Sequence, residues 1–474
     1  MGQARENHLR AERSGFIGRD GAPVRLRGTA LGGWLNMENF VTGYPSAEST
    51  MRTAVRGVLG GERYEFFFER LLSGFFAEAD ARFMAEAGFN AVRIPVNYHH
   101  LEDDARPFEV TEAGFAHLDR AVELCAKHGI YTVIDLHALP GGQNQRWHSD
   151  NPTHLSAFWQ HRHFQDRVVH LWEAIADRYK DNTWVAGYNP VNEPADESRQ
   201  VVGPFYRRLV EAVRAVDPWH TLFLDGNTYS TEFDVFEVFD QPPGNTVYVC
   251  HDYAMAGLAY GGPYPGLTRG VWQDAQVLEE KFLRRTDFCR SMESPVWVGE
   301  FGPVYPGGTD GDADRHQIIA DQLDIYRRHE VSWSLWTYKD IGLQGLVHVR
   351  SDSAYLRRFG DLVAKKKRLG ADSWGTDGTQ PPEITKPVQD LLAREFPDFD
   401  PYPWGRWDWV RTLLQTIMLA QPLVGEYARL FDGLDHDELA ALADSFRLEN
   451  CQVRQPLLAS LVADCLDNRA SSPR

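Results

Sequence analysis

Two glutamates in this chain stand where carboxylates can do chemistry. Glu193 lies in Tyr188-Asn189-Pro190-Val191-Asn192-Glu193-Pro194 and Glu300 in Val296-Trp297-Val298-Gly299-Glu300-Phe301-Gly302. Each follows a short apolar run that reads as a buried strand, and each is followed within two residues by a Pro or Gly that breaks the element. Both therefore belong at strand ends. A barrel of alternating strands and helices gathers such ends at one mouth, where two facing carboxyl groups are the minimum equipment for cleaving a glycosidic bond.

The elements that must position them are legible. From Val24 to about Phe396, short β-branched or aromatic runs alternate with stretches of helical period, the pattern of parallel β/α units. Eight strands are expected, near Val24–Arg27, Ala91–Ile94, Tyr131–Asp135, Val185–Asn189, Thr221–Asp225, Thr246–Cys250, Val296–Gly299 and Val331–Leu335. Helices are expected between them, among others at Glu112–His128, Asp166–Tyr179, Val201–Val216, Trp272–Ser291 and Arg315–His329. The fold class is α/β, a (β/α)8 TIM barrel over residues 1–396 with long loops at its catalytic face. Residues 397–474 read as a C-terminal α-helical extension, with helices at Trp407–Ala420, Val424–Phe431, His436–Phe446 and Leu457–Leu466. Four connections are too long for plain turns: Trp34–Ser46, Ala138–Gln165, Tyr253–Val271 and Lys339–Pro382. Their aromatics Trp147, Tyr260, Tyr264 and Trp374 suit walls that stack on sugar rings, or simply pin the loops to the barrel.

Composition narrows the partners. The chain of 474 residues is 43% apolar, enough for one large core and a satellite. Its 49 basic and 67 acidic residues give a net charge of −18, which repels nucleic acid and anionic membranes and favours an uncharged substrate. Five widely spaced cysteines, with no Cys-x-x-Cys pair, read as reduced core thiols. The polar first fifteen residues lack the apolar stretch of a secretory signal, and no apolar run approaches the roughly 20 residues of a membrane span. A cytoplasmic location is the expectation.

At the expected carboxyl ends of the strands stand Arg93 after the second, His137 after the third, Asn192 and Glu193 after the fourth, and His251 and Tyr253 after the sixth. Glu300 follows the seventh and Trp336 the eighth. Together these resemble the pattern of glycoside hydrolase family 5, barrel enzymes with two catalytic glutamates after strands four and seven. The resemblance spans roughly residues 20 to 396. Leu31-Gly32-Gly33-Trp34-Leu35 with Glu38, and Asp135-Leu136-His137 followed by Pro140-Gly141-Gly142-Gln143-Asn144, look like the branch of exo-β-1,3-glucanases, β-glucosidases and diglycosidases. In that branch the glutamate corresponding to Glu38 binds the terminal glucose. Asn36 and Asn39 flank Glu38 where those enzymes tend to have apolar residues or proline, and the insertion after Trp336 and the C-terminal helices lie outside the pattern.

The resemblance implies a retaining β-glycosidase that removes a terminal β-glucosyl or disaccharide unit from a glucan or glycoconjugate. Glu193 would be the acid/base, its pKa raised by burial and by Glu300. Glu300 would be the nucleophile, kept ionised by Arg93 and a phenol such as Tyr253. Asn192 would donate to the sugar 2-hydroxyl, and His137 and His251 would bind other hydroxyls or orient the carboxylates. Trp336 would form an apolar floor, and Trp34 would help shape the pocket.

No cofactor is expected. His99-His100 and His161-x-His163 lack the spacing of a metal site and read as surface or loop histidines. Lys365–Arg368 reads as a solvated basic run, and Asp196 and Glu197 as caps of the next helix. An endo-acting β-glucanase with an open cleft is the alternative, and a carbohydrate-binding barrel without catalysis the weakest reading. Long loops and Glu38 would close a groove into a pocket, which favours exo action.

Overall fold

The computed structural model describes residues 7–12, 15–239, 241, 243–253, 262–268, 270–305, 312–371 and 382–467. Its centre is a closed barrel of parallel strands. These are β1 (Arg27–Ala30), β2 (Ala91–Asn97), β3 (Tyr131–Ala138), β4 (Val185–Asn189), β5 (Thr221–Asp225), β6 (Thr246–His251), β7 (Val296–Phe301) and β8 (Ser332–Leu335). Each pairs with its neighbours in sequence, and β8 returns to β1 with Ser334 beside Gly28. This is the (β/α)8 architecture read from the strand pattern.

Two local expectations shift. Val24 belongs not to the barrel but to a small antiparallel sheet across its floor, where it faces Phe16. The barrel strand begins at Arg27 and is poor in β-branched residues. Gly28 is required there by close approach, since a Cβ would lie 1.7 Å from the Ala91 carbonyl oxygen. Phe16 and Leu26 instead pack under the barrel with Val133, Phe223, Val249 and Trp297. Trp272, expected in a helix, lies in a short strand paired with Gly266–Thr268, and the helix starts after Asp274, whose side chain accepts from the Val277 amide.

The long first connection contains a helix that its Gly-rich middle hides, Glu48–Phe75, with Gly60 at φ 73°. On it rest the last helices of the chain: Phe67 meets Phe431 edge-on, and Phe75 stacks on Phe446. The expected basic run falls in the helix Ala354–Leu369. Its Lys366 is buried, donating to the carbonyl oxygens of Asn39 and Tyr44, so the run is partly a strut for the loop after β1 rather than a solvated face. The tail also contributes the strand Cys451–Val453, antiparallel to Val347–Val349. Beneath the barrel its Asp464 binds Arg27 at 3.1 Å. The four cysteines Cys125, Cys250, Cys289 and Cys465 are buried thiols and Cys451 is half-buried. No helix among the described residues is long and apolar enough to cross a membrane.

Candidate active site

The barrel delivers the expected residues to its carboxyl-terminal mouth. Glu300, near the end of β7, accepts from Arg93 Nη1 at 2.6 Å through one oxygen and from the Tyr253 hydroxyl at 2.7 Å through the other. Arg93 is fully buried and spends its remaining donors on Asn192 Oδ1 at 2.7 Å, Asn189 Oδ1 at 3.0 Å and Asp135 Oδ2 at 3.0 Å. Burial works against its charge, but Asp135, Glu300 and Asp225 outweigh it, so its pKa lies above the ordinary value. A planar fork of five donors suits this place, because a lysine would leave several of these acceptors unpaired.

Glu193 follows β4 in a different environment. Its carboxylate is flanked by His251 Nδ1 at 2.6 Å and His148 Nε2 at 3.0 Å. Burial pushes the pKa of each of these imidazoles down to about 4, so both are neutral near pH 7. Burial also raises the pKa of Glu193; the hydrogen bond with His251 opposes this and the charge of Glu300 adds to it. The residue stands at φ 47°, in the left-handed region that a non-glycine residue rarely occupies. Its backbone is clamped there by Asp225, which accepts from its amide at 2.9 Å, and by Asn144, which donates to its carbonyl at 3.0 Å.

On the other side of Glu300, His137 is fixed through Nδ1 by Asp135 at 2.7 Å, while its Nε2 lies 3.2 Å from Asn192 Nδ2. Its ring stacks on Trp336, centroids 5.3 Å apart and 11° from parallel. Glu38 approaches His137 Nε2 at 3.5 Å. Its Oε1 is buried and makes no well-formed hydrogen bond within the protein, and burial, then Glu300 and Glu193, raise its pKa well above the usual carboxyl range against the Trp147 indole N–H. A buried acceptor so placed at the mouth of a barrel is fitted for a ligand hydroxyl.

Nine of the ten expected residues thus converge. Trp34 does not: it is fully buried behind β1, its Nε1 donating to the Leu72 carbonyl at 2.8 Å and its ring beside Phe76. Trp-Leu after a glycine pair reads equally as a pocket wall and as core, and here the helix Glu48–Phe75 takes it into the core. Of the loop aromatics, Trp147 is buried beside the site, against His148. Tyr264 is a loop anchor bonded to Asp321, and Tyr260 and Trp374 lie outside the described residues. Asp196 accepts from Ser198 and Val201 amides and so leads into the helix Val202–Val216. Sequence reasoning missed His148, Asp225, Asn189 and Asn144. The strand-end acids and amides carried a signal, a polar residue closing an apolar run. His148 sits in a single 3-10 turn and carried none.

Among the described residues, ligand atoms of Glu193, His251 and Glu300 lie within 4.8 Å of one another. A cation there would compete with the Arg93 guanidinium and the Tyr253 hydroxyl for both Glu300 oxygens, and with Glu193 for His251. The set therefore suits proton and nucleophile chemistry.

The model of the cellulase family (glycosyl hydrolase family 5) matches residues 69–342. A β-xylosidase of Phanerodontia chrysosporium is 44% identical over 465 residues, covering 95% of this chain and 96% of that protein. A probable glucan 1,3-beta-glucosidase A of Aspergillus clavatus is 26% identical over 360 residues, 68% of this chain and 84% of its own length. A crystal structure described as a glycoside hydrolase superposes with a TM-score of 0.51 at 21% identity, over 67% of this chain and 90% of the other. That last likeness speaks for the fold.

Proposed function

The chain belongs to glycoside hydrolase family 5, and from that premise we propose that it is a retaining, exo-acting β-glycosidase with Glu300 as nucleophile and Glu193 as acid/base. The observation that carries this reading is the unequal surroundings of the two carboxyl groups. Glu300 accepts from a guanidinium and a phenol, whereas Glu193 lies between two neutral imidazoles with its pKa raised by burial. Two carboxyls with environments this different divide the labour of a double displacement.

In the first step the Glu300 carboxylate attacks the anomeric carbon while Glu193 gives its proton to the departing oxygen. A glycosyl ester on Glu300 results. Glu193, now ionised, takes a proton from water, which attacks the same carbon from the leaving-group side as the ester bond breaks, releasing Glu300 as its carboxylate and restoring the original anomer. One carboxyl oxygen of Glu193 lies within 4.8 Å of one of Glu300, which agrees with the short carboxyl spacing of a retaining enzyme, about 5–5.5 Å. Asn192, oriented by Arg93, is placed to meet the 2-hydroxyl. Glu38 and His137 face the hydroxyls farther round the ring, over the Trp336 floor.

Glu38, buried beside His137, supports exo action, since a carboxyl holding the terminal sugar there would stand in the path of a continuing chain. For the glycone, the full-length similarity to a β-xylosidase favours a terminal β-xylosyl unit. The Glu38 motif supports β-glucosyl as the second reading. The two sugars differ by the C6 hydroxymethyl group, so the contacts above serve either.

Aryl β-xyloside and aryl β-glucoside assayed side by side, with the first-formed anomer read by NMR, test sugar, retention and exo action together. Release of β-xylose, with the viscosity of xylan and β-glucan solutions unchanged, is expected. Rapid viscosity loss would replace exo with endo action, and an α-anomer as first product would remove the nucleophile role of Glu300. Full activity in Glu300→Gln would have the same effect.

A further inference from the structure

Beyond the mouth of the barrel, a groove of about 600 Å³ runs between the catalytic loops and the C-terminal segment. We propose that this groove is the subsite for the leaving group, that the tail builds half of it, and that the group it takes is a second sugar residue. This assignment rests on the glycosidase reading above and extends it to the side of the scissile bond the barrel alone does not define.

Position comes first. One wall is Ala195 and Asp196, directly downstream of Glu193, together with Tyr229 after β5; the other wall is Phe399, Tyr402 and Trp409 from the tail. The Tyr229 ring meets His148 edge-on with centroids 6.2 Å apart, and His148 Nε2 is 3.0 Å from Glu193. The Tyr229 wall thus connects through the His148 ring to the carboxyl that protonates the departing oxygen. Glu38, His137 and Trp336 are not on the groove's lining, so glycone and leaving group need not compete for space.

The conformation around Tyr229 supports a dedicated role. Thr228, Tyr229 and Ser230 take φ of 52°, 58° and 59°, three successive non-glycine residues in the left-handed region. Such backbone persists only where its surroundings over-determine it, and it clusters at ligand clamps. Here the Tyr229 amide donates to the Pro194 carbonyl at 3.2 Å and its hydroxyl to Gln145 at 2.9 Å. From the tail, the Tyr402 hydroxyl lies 3.1 Å from Thr228 Oγ1, and Trp404 stacks on the Tyr229 ring at 4.6 Å. The tail thus fixes the turn as well as facing it.

Chemistry selects the occupant. Phe399, Tyr402 and Trp409 are half-buried, leaving ring surface open to the groove, and such faces stack against the axial hydrogens of a pyranose. On the same lining, Ser156 Oγ is buried and makes no well-formed hydrogen bond within the protein. A sugar hydroxyl would satisfy it. A flat aromatic aglycone or an acyl chain would cover the rings and leave it desolvated and unpaired, which is costly.

The test compares two substrates sharing one glycone: a β-linked trisaccharide, and the β-glycosyl fluoride, whose leaving group is too small to enter the groove. In Phe399→Ala and Trp409→Ala the ratio of kcat/KM for trisaccharide over fluoride should fall at least tenfold. Tyr402→Phe, which keeps the ring, should lose less than Tyr402→Ala. An unchanged ratio, or equal losses on both substrates with a lowered Tm, would overturn the assignment. A loss seen on aryl glycosides but not on the trisaccharide would overturn its sugar chemistry. Calorimetric titration of the trisaccharide is read in parallel and separates the two hypotheses. A wild-type protein that hydrolyses neither substrate sinks the glycosidase reading, and binding weakened tenfold in Phe399→Ala would then still uphold the groove, while binding unaffected by it would remove that too.

Discussion

The two sides of the catalytic pair are built differently. On the glycone side Arg93, Asn192 and His137 come from strands or the first residues after them, and all are essentially inaccessible to solvent. Each holds another: Arg93 binds Asn192, Asn192 meets His137, and Asp135 fixes both Arg93 and His137. On the proposed leaving-group side the surfaces are half-buried aromatics of the tail, facing a buried Tyr229 held in a strained turn. On the proposed reading, the barrel's own hydrogen-bond network sets the reaction and the nearest sugar, while insertions and the tail set what lies beyond the scissile bond.

The largest effect that separates the sides belongs to Glu193, which faces both. In Glu193→Gln, hydrolysis of a glycoside with a poor leaving group should fall by roughly 10²–10⁴-fold, and that of a glycosyl fluoride, which needs no proton, by far less. Because burial raises its pKa, Glu193 keeps its proton to higher pH than the ~4.3 of a free glutamate. The proton-bearing form is the active one in the first step, so kcat/KM should decline as pH rises through the raised value. That basic limb should vanish in Glu193→Gln with the fluoride. A limb that survives the substitution would move the acid role to another group.

Legibility in the sequence follows the same line. Seven barrel strands are readable because a buried parallel strand is a continuous apolar run, and the catalytic mouth is readable because polar residues close those runs at His137, Asn192 and His251, whereas Arg93 interrupts its strand from within. The first strand was misplaced because its sequence obeys a different constraint. Gly28 must be small, whereas Val24 two turns of pattern earlier looks like the better strand former. His148, Trp34 and Lys366 were illegible or misread for one reason: their roles are set by contacts across 45, 38 and more than 300 residues, with Glu193, Leu72 and the loop after β1. Local pattern carries no trace of such contacts.

Glu38 gives the next effect, confined to the glycone side. Its buried Oε1 makes no well-formed hydrogen bond within the protein, so it is open to one from a sugar hydroxyl. Losing one to a buried neutral group costs about 1–3 kcal/mol, a factor of roughly 5–150. Glu38→Ala should therefore reduce kcat/KM by that factor on every substrate tried, trisaccharide, aryl glycoside and fluoride alike. A loss that varies with the leaving group would mean that Glu38 reaches across the scissile bond, and the two sides would not be separable.

The smallest catalytic effect, and the sharpest on the other side, is expected at the latch between tail and barrel. Arg146, from the loop after β3, binds Asp408 at 2.7 Å and Thr412 at 2.8 Å, and Asp408 also binds Arg411 at 2.5 Å. Breaking one partner of a buried pair costs about 3–5 kcal/mol, most of it from the charge left behind. Asp408→Ala should accordingly lower Tm and weaken trisaccharide hydrolysis, while kcat on the fluoride changes less than twofold to threefold. Burial alone would raise the Asp408 pKa, but Arg146 and Arg411 outweigh it and hold it below the usual carboxylate range. A depressed carboxyl stabilises the fold above its unfolded value, ~3.9 for Asp, and that contribution disappears as pH falls through the folded value. The latch is thus closed at neutral and mildly acidic pH and opens only in strong acid. Tm measured from pH 7 down to pH 3 should show a steeper acid-side loss in wild type than in Asp408→Asn; parallel curves would show that the tail is held by its apolar contacts alone.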